Sequence, residues 1–173
     1  MSRVHCAECG VEHELGDLEP SYQLPDAIHA IPEGDRPNRA KIARNLCALW
    51  GSQDDEHRWF VRSLVPFQVH GRLETCSWGI WVEVPQSSFD EIVRLWDDPN
   101  QLVHGPWRGT IANDAATYAS TIGMSGTLQF VDVTTTPHFA PDPELEHPFV
   151  QEWRTGVSIK RMMDWQLAFS HSV

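Results

Sequence analysis

Two apolar runs with period-two alternation dominate the middle of the chain. The residues that share a face are Trp59, Val61, Val65, Phe67 and Val69 in the first run and Cys76, Trp78, Ile80, Val82 and Val84 in the second. Successive side chains of a strand point to opposite faces, so this alternation is typical of a half-buried antiparallel pair. Gly71 allows the chain to reverse between the runs, and Gly79, between two tryptophans, indicates a bulge or a close approach. Residues 58–84 are therefore predicted to form a central β-hairpin.

Helical spacing follows the hairpin in two places. In the first, residues 88–97, the apolar positions that recur at intervals of three and four are Phe89, Ile92, Val93 and Trp96. This spacing predicts a helix with one apolar face on the sheet, and Ser88 with Glu91 predicts a capping box at its start. A second helix is predicted over residues 158–169, preceded by a shorter one over 148–154.

The remaining segments complete an α+β prediction. Strands are expected at 45–50, at 107–112 and within 120–133, and prolines mark an acidic connector after that. Prolines also exclude a long helix from residues 14–38, which we call the proline-rich arm. We predict a single domain over 1–173, a mainly antiparallel sheet with packed helices. Within it, residues 1–50 hold a Cys-x-x-Cys knuckle and the arm, and residues 51–173 hold the sheet and helices.

Composition and charge restrict the class of protein. At 173 residues and 41% hydrophobic, the chain is long enough for one domain with a real core. The formal net charge of −11 argues against a nucleic-acid binder, because phosphate contacts need clustered Lys and Arg. The acidic excess serves solubility or docking to a cationic partner protein. No apolar stretch reaches the ~20 residues of a membrane helix, and the first ten residues lack the apolar core of a signal peptide, so we expect a cytoplasmic protein.

The cysteines carry the strongest local signal. Cys6 and Cys9 are separated by two residues and followed by glycine, a turn that can direct two thiolates at one tetrahedral zinc. We predict a structural zinc site made by Cys6, Cys9, His13 and Cys47, with Cys76 as the alternative fourth ligand. Two other interpretations stay open: a reduced pair without metal, and a thioredoxin-like redox pair, which the missing βαβ pattern disfavours.

Other chemistry-bearing residues form no recognisable catalytic motif, and no catalytic residue is predicted. Arg62 and Arg108 are charges inside otherwise apolar strands, and His147 precedes a proline at a predicted helix start. We treat these three as candidate ligand-binding residues. The simpler interpretation is that the arginines face solvent or pair with carboxylates, while His147 anchors the start of its helix.

The order of these motifs resembles a bacterial family described as domain of unknown function 2199. The segments that carry the resemblance are Cys6-x-x-Cys9-Gly10 with His13, Leu46-Cys47, Trp59-Phe60-Val61-Arg62, Trp78-Gly79-Ile80-Trp81-Val82, the Phe89 helix, Trp107-Arg108-Gly109, Glu146-His147-Pro148 and Gly156-Val157-Ser158. They span nearly the whole chain. The chain departs from the family pattern in its proline-rich arm and its fairly long acidic connector. Because the family has no established activity, the resemblance supports the single-domain prediction and leaves function open.

Two functional hypotheses from different classes follow. The first is a non-enzymatic, acidic interaction module that blocks a cationic protein, as an immunity protein or antitoxin does. The second is a small enzyme or metabolite-binding protein whose pocket uses Arg62, Arg108 and His147. Convergence of these three side chains on one concave site would favour the second hypothesis, and their separation would favour the first. The oligomeric state is left open.

Overall fold

A computed structural model describes residues 3–5, 12–14, 19–51 and 57–170. The strands within these ranges are β1 Arg3–His5, β2 Glu12–Glu14, β3 Ala40–Ile42, β4 Leu46–Leu49, β5 Arg58–Gln68, β6 Thr75–Val84, β7 Trp107–Ile111, β8 Ser125–Gln129 and β9 His138–Pro141. The helices are α1 Asp26–His29, α2 Arg36–Arg39, α3 Gln86–Leu95, α4 Pro148–Thr155 and α5 Ile159–Ser170, with a 3-10 turn at Gln101–Val103. The α+β prediction with a mainly antiparallel sheet is confirmed.

The sheet closes on itself into a small barrel. Strands β3 to β9 are hydrogen-bonded in chain order, each antiparallel to the next, while β1 and β2 pair separately. Strand β5 also pairs in parallel with β9 at Leu64 and His138, and the Leu64 amide donates to the Pro137 carbonyl at 3.0 Å. Strands β5 to β9 therefore enclose a barrel, and β3 and β4 extend the sheet beyond it.

The predicted hairpin is confirmed and supplies most of the barrel interior. Val61 lies opposite Val82 and Val65 opposite Trp78, and all four side chains are fully buried. Helices α4 and α5 cover one end, since the Phe67 ring contacts Phe149 at 5.2 Å and Trp165 at 4.9 Å between centroids. Helix α3 covers part of the opposite end through contacts of Phe89 with Trp59 and of Trp96 with Phe130.

Helix α3 corrects two details of the sequence prediction. It begins at Gln86 directly after Pro85, and no side-chain hydrogen bond caps it, so the Ser88–Glu91 capping box is wrong. The carboxylate of Glu91 instead accepts a hydrogen bond of 2.7 Å from the indole of Trp107. Val93, which was predicted to face the sheet, is 43% exposed. The buried residues of the helix are Ile92 and Leu95. The chain passes from β6 into the helix through Pro85 alone, so the helix starts before Ser88 can act as its cap.

The acidic connector contains a strand that the sequence analysis did not predict. Residues 138–141 form β9, the strand that closes the barrel. This strand has only four residues, which is too short for an alternating pattern to be recognised. It also ends at a proline, which lacks an amide donor and disfavours a strand prediction. The other two helices agree with prediction, and the Ser158 hydroxyl accepts a hydrogen bond from the Arg161 amide at the start of α5. No helix in the described ranges has both the length and the apolar character needed to cross a membrane.

The proline-rich arm lies on the outer face of the hairpin. Pro20 and Tyr22 exchange backbone hydrogen bonds of 2.7 and 2.9 Å with Gly79, which confirms the close approach predicted there. Below this contact, a second core forms between the arm and the sheet. Its fully buried members are Ile28, Phe60 and Trp81. Within its described residues the arm has only the four-residue helices α1 and α2, as its prolines require.

Candidate functional site

A groove of about 630 Å³ lies on the outer face of the barrel. We call it the outer groove; it is lined by His57, Arg58, Trp59, Glu83, Val84, Pro85, Gln86, Arg108, Gly109, Thr110 and Ser125. Inward side chains of β5 to β8 fill the barrel, so most strand residues that line the groove are at the alternate, outward positions. Trp59 and Val84 also line it, although they belong to the inward face of the hairpin. Thr110 lies opposite both Glu83 and Ser125, so one row of polar side chains crosses three adjacent strands.

Ion pairs balance the charges of the outer groove. The Arg58 guanidinium donates two hydrogen bonds to the Glu83 carboxylate at 2.8 and 2.7 Å. At the other side, Arg108 donates two of 2.7 Å to Asp142, which also accepts one of 2.6 Å from the Ser125 hydroxyl. The hydrogen bonds from Arg108 and Ser125 lower the pKa of Asp142 to about 2. Because the Arg108 side chain is 61% exposed, its guanidinium can also meet an anionic ligand, which arginine binds through paired donors.

The structure places the three candidate ligand-binding residues with three different partners. Only Arg108 lines the outer groove. Arg62 donates a 2.6 Å hydrogen bond to the Ser21 hydroxyl and so links the sheet to the proline-rich arm. His147 is the N-cap of α4: its Nδ1 accepts from the Phe149 amide at 3.1 Å, and its Nε2 contacts the Ala119 carbonyl. The anchoring interpretation of His147 is confirmed.

A second cleft, of about 410 Å³, lies between the arm, α5 and the loop after β7. The polar groups that line it already hold the arm in place. The Tyr22 hydroxyl donates to the Asp114 carbonyl and accepts from the Ala116 amide, both at 2.8 Å, and burial raises its pKa to about 12. Arg36 donates to the carbonyls of Ile31 and His29. The Tyr22 contacts attach the arm to the loop after β7, and the Arg36 contacts stabilise the arm internally.

The predicted zinc ligands fall mostly outside the described residues. Cys6 and Cys9 lie outside them, as does the side chain of His13, whose backbone belongs to β2. Cys47 is 1% exposed, its thiol lies 3.8 Å from the Ala43 carbonyl, and burial raises its pKa to about 11. Cys76 is likewise buried inside the barrel. Within the described ranges, no group of three or more His, Cys, Asp and Glu side chains could hold a metal ion.

A half-buried polar network that the sequence analysis missed joins helices α4 and α5 to the loop after β7. The Tyr118 hydroxyl donates a short hydrogen bond to the Glu152 carboxylate, which also accepts one of 3.0 Å from Arg161. The Arg161 guanidinium lies over the rings of Tyr118 and Trp165, 5.1 and 5.6 Å from their centroids. Burial and the Glu152 carboxylate raise the pKa of Tyr118 well above its usual range. The protonated phenol of Tyr118, in the loop after β7, therefore donates to Glu152 on α4. Arg161 links the same carboxylate to α5.

Sequence reasoning also missed Arg58 and Glu83 as groove residues. Their outward positions on two neighbouring strands follow from the alternation already noted. Their pairing depends on the cross-strand register, in which Glu83 lies opposite Phe60 and therefore beside Arg58. A cross-strand search for opposite charges in the predicted hairpin would have found them.

Comparison with known proteins gives a family and no activity. No curated protein and no solved structure matches the chain. A family model described as "Uncharacterized protein conserved in bacteria (DUF2199)" matches residues 5–157. That match includes the hairpin, the outer groove and helix α4, and it agrees with the resemblance carried by the motifs. The chain therefore belongs to this bacterial family, DUF2199.

Proposed function

We propose that this protein is a non-enzymatic interaction module of the bacterial cytoplasm, which binds a cationic protein partner in the manner of an immunity protein or antitoxin. The observation that carries the proposal is its acidic surface, with a formal net charge of −11. Several exposed carboxylates make no ion pair with any described residue: Asp35, Glu74, Asp90, Asp97, Glu144 and Glu146. Exposed carboxylates without an ion-pair partner can attract and orient an oppositely charged protein as it approaches.

The positions of the candidate ligand-binding residues add support. Arg62 and His147 are engaged with Ser21, Phe149 and Ala119, contacts that hold the fold together. The enzyme or metabolite hypothesis required Arg62, Arg108 and His147 to line one pocket. Of these three residues, only Arg108 lines the outer groove.

The test is the salt dependence of association. Protein immobilised on a resin captures partners from a bacterial lysate, and mass spectrometry identifies them. The association rate of a purified partner is then measured by stopped-flow fluorescence. Raising the ionic strength from about 0.01 M to about 0.15 M shortens the Debye length from about 30 Å to about 8 Å. The rate should fall steeply over this range; a specific partner whose association rate ignores salt would refute charge as the basis of binding.

A second candidate function is binding of a small anionic ligand in the outer groove. The observation that favours it is the pair of arginines, Arg58 on β5 and Arg108 on β7, that both line a groove of about 630 Å³. This candidate differs from the pocket predicted from the sequence, because its arginines are Arg58 and Arg108 and it contains neither Arg62 nor His147. A thermal-shift screen with carboxylate and phosphate compounds tests it. A stabilising compound should lose its effect in Arg108→Gln and keep it in Arg72→Gln, a change outside the groove lining.

We also propose that Cys6, Cys9, His13 and Cys47 hold one structural zinc, which ties the acidic N-terminus to the sheet. Support comes from the Cys-x-x-Cys-Gly turn and from the position of Cys47 on β4, next to the hairpin in the sheet. The buried Cys47 thiol holds its proton tightly in the absence of metal, and zinc would have to replace that proton. Four protein ligands would make such a site structural, since a catalytic zinc keeps one position open.

A further inference from the structure

Five exposed aliphatic side chains lie on segments that meet at one end of the barrel. We call this group the end patch; its members and their exposed fractions are Val93 43%, Leu102 44%, Val103 81%, Val131 47% and Val133 53%. They come from three separate segments: α3, the 3-10 turn after it, and the chain that follows β8. Single exposed apolar residues need no explanation, but a group drawn from several segments is typical of an interaction surface.

Hydrogen bonds and ring contacts bring the three segments together. The side-chain amide of Gln129, at the end of β8, donates to the His104 carbonyl at 2.7 Å and to the Leu102 carbonyl at 3.5 Å. The next residue, Phe130, contacts Trp96 with 5.7 Å between ring centroids. The 3-10 turn, the chain leaving β8 and the end of α3 are therefore neighbours. Leu73, which is 96% exposed, lies in the β5–β6 turn at the opposite end of the barrel.

The border of the end patch is acidic. Its carboxylates are Asp90 and Asp97 on either side of Val93, Asp98 in the following turn, and Asp132 between Val131 and Val133. The charge of Asp132 is held in place by hydrogen bonds of 2.7 and 2.6 Å from the Thr134 amide and hydroxyl. Arg94, the basic residue of α3, lies 3.9 Å from Glu91. An aliphatic centre with a negative border is complementary to a segment that is apolar on one side and cationic beside it.

We infer that the end patch is the docking surface for a cationic amphipathic segment of the partner protein, whose aliphatic side chains cover the patch while its Lys and Arg residues meet the acidic border. This inference rests on the proposed function and adds the surface and the chemistry of the partner. A second copy of this chain is a poorer occupant. A two-fold contact would set this acidic border against itself, and like charges brought together in this way repel.

The test uses a synthetic helical peptide of Lys and Leu with an apolar face, and a scrambled peptide of the same composition without one. Fluorescence anisotropy measures the binding of each to the full-length protein at low and at physiological ionic strength. The patch variant is Val103→Ser with Val131→Ser, and the matched control is Leu73→Ser at the other end. All three positions are exposed, and thermal unfolding verifies that each variant is folded.

The amphipathic peptide should bind the parent and the Leu73→Ser control alike and should bind the patch variant about tenfold more weakly, from the loss of aliphatic burial. The scrambled peptide should bind weakly to all three proteins. Equal, salt-dependent binding of the amphipathic peptide to parent and patch variant would overturn the end patch while leaving the proposed function standing. Absence of binding by both peptides at low ionic strength would overturn both proposals. A parent that dimerises, with a patch variant that does not, would assign the surface to a second copy and refute the inference.

Discussion

Gly79 is the position where a single added methyl group should separate the proline-rich arm from the hairpin. A Cβ atom built there would lie 2.4 Å from the Ser21 hydroxyl oxygen, 2.9 Å from the Ser21 Cβ and 3.2 Å from its Cα. Ordinary contacts between heavy atoms are about 3.5–4.0 Å, so the arm would have to retreat by about 1 Å in a Gly79→Ala protein.

The retreat has a cost because backbone hydrogen bonds hold the two segments together. The Gly79 amide donates to the Pro20 carbonyl at 2.7 Å, and the Tyr22 amide donates to the Gly79 carbonyl at 2.9 Å. Each such bond contributes about 1 kcal/mol net, and overpacking a buried site costs about 1–3 kcal/mol. We expect Gly79→Ala to lower the free energy of unfolding by about 2 kcal/mol.

Urea unfolding followed by tryptophan fluorescence measures this loss. The control is Gly34→Ala, because nothing lies within 4 Å of a Cβ at Gly34; it should be neutral or stabilising by up to about 1 kcal/mol. Ser21→Gly should partly rescue Gly79→Ala by removing the obstructing hydroxyl and Cβ. It also removes the hydrogen bond from Arg62, so a double-mutant cycle is needed, with an expected coupling of at least about 1 kcal/mol. A Gly79→Ala protein within about 0.5 kcal/mol of the parent, or a cycle without coupling, would refute the close approach.

Three further predictions address the helix, an ion pair and the metal. Trp96→Ala should cost about 3 kcal/mol in urea unfolding, whereas Val93→Ala, on the exposed side of the same helix, should cost under about 0.5 kcal/mol; equal losses would show that the helix face is misassigned. The pKa of Asp142 is lowered from 3.8 to about 2, so its contribution to stability is present above pH 3.8 and is lost as the pH falls toward 2. In this exposed pair it amounts to about 1 kcal/mol or less, and acid titration of Asp142→Asn should lack it; an unchanged acid limb would contradict the pairing. Elemental analysis of protein purified without added metal should find about one zinc per chain, and Cys6→Ser with Cys9→Ser should abolish it and lower the melting temperature; a metal-free parent that melts with the variant would refute the site.

Local patterns determined the elements of this protein. Alternation along residues 58–84 predicted the hairpin because a strand with one buried face must place an apolar residue at every second position. The register that pairs Val65 with Trp78 satisfies this requirement. Helical spacing predicted α3 and α5 for the same reason, although it misassigned Val93. The glycine between two tryptophans indicated a bulge or a close approach at Gly79, and the structure shows that the arm makes the approach.

The acidic character of the surface follows from the sequence, but tertiary structure decided the barrel closure and the assembly of the outer groove and the end patch. Strand β9 is too short and too rich in proline to be visible in the sequence, and it becomes a strand because Leu64 and Gln129 lie beside it. Arg108, which lines the outer groove, meets its partner Asp142, 34 residues away, only because neighbouring strands bring the two together. The end patch likewise draws on segments that no local pattern connects. Burial of a residue's own side chain leaves a periodic trace in the sequence, whereas the partner that a surface side chain meets depends on strand order and register, which local spacing does not record.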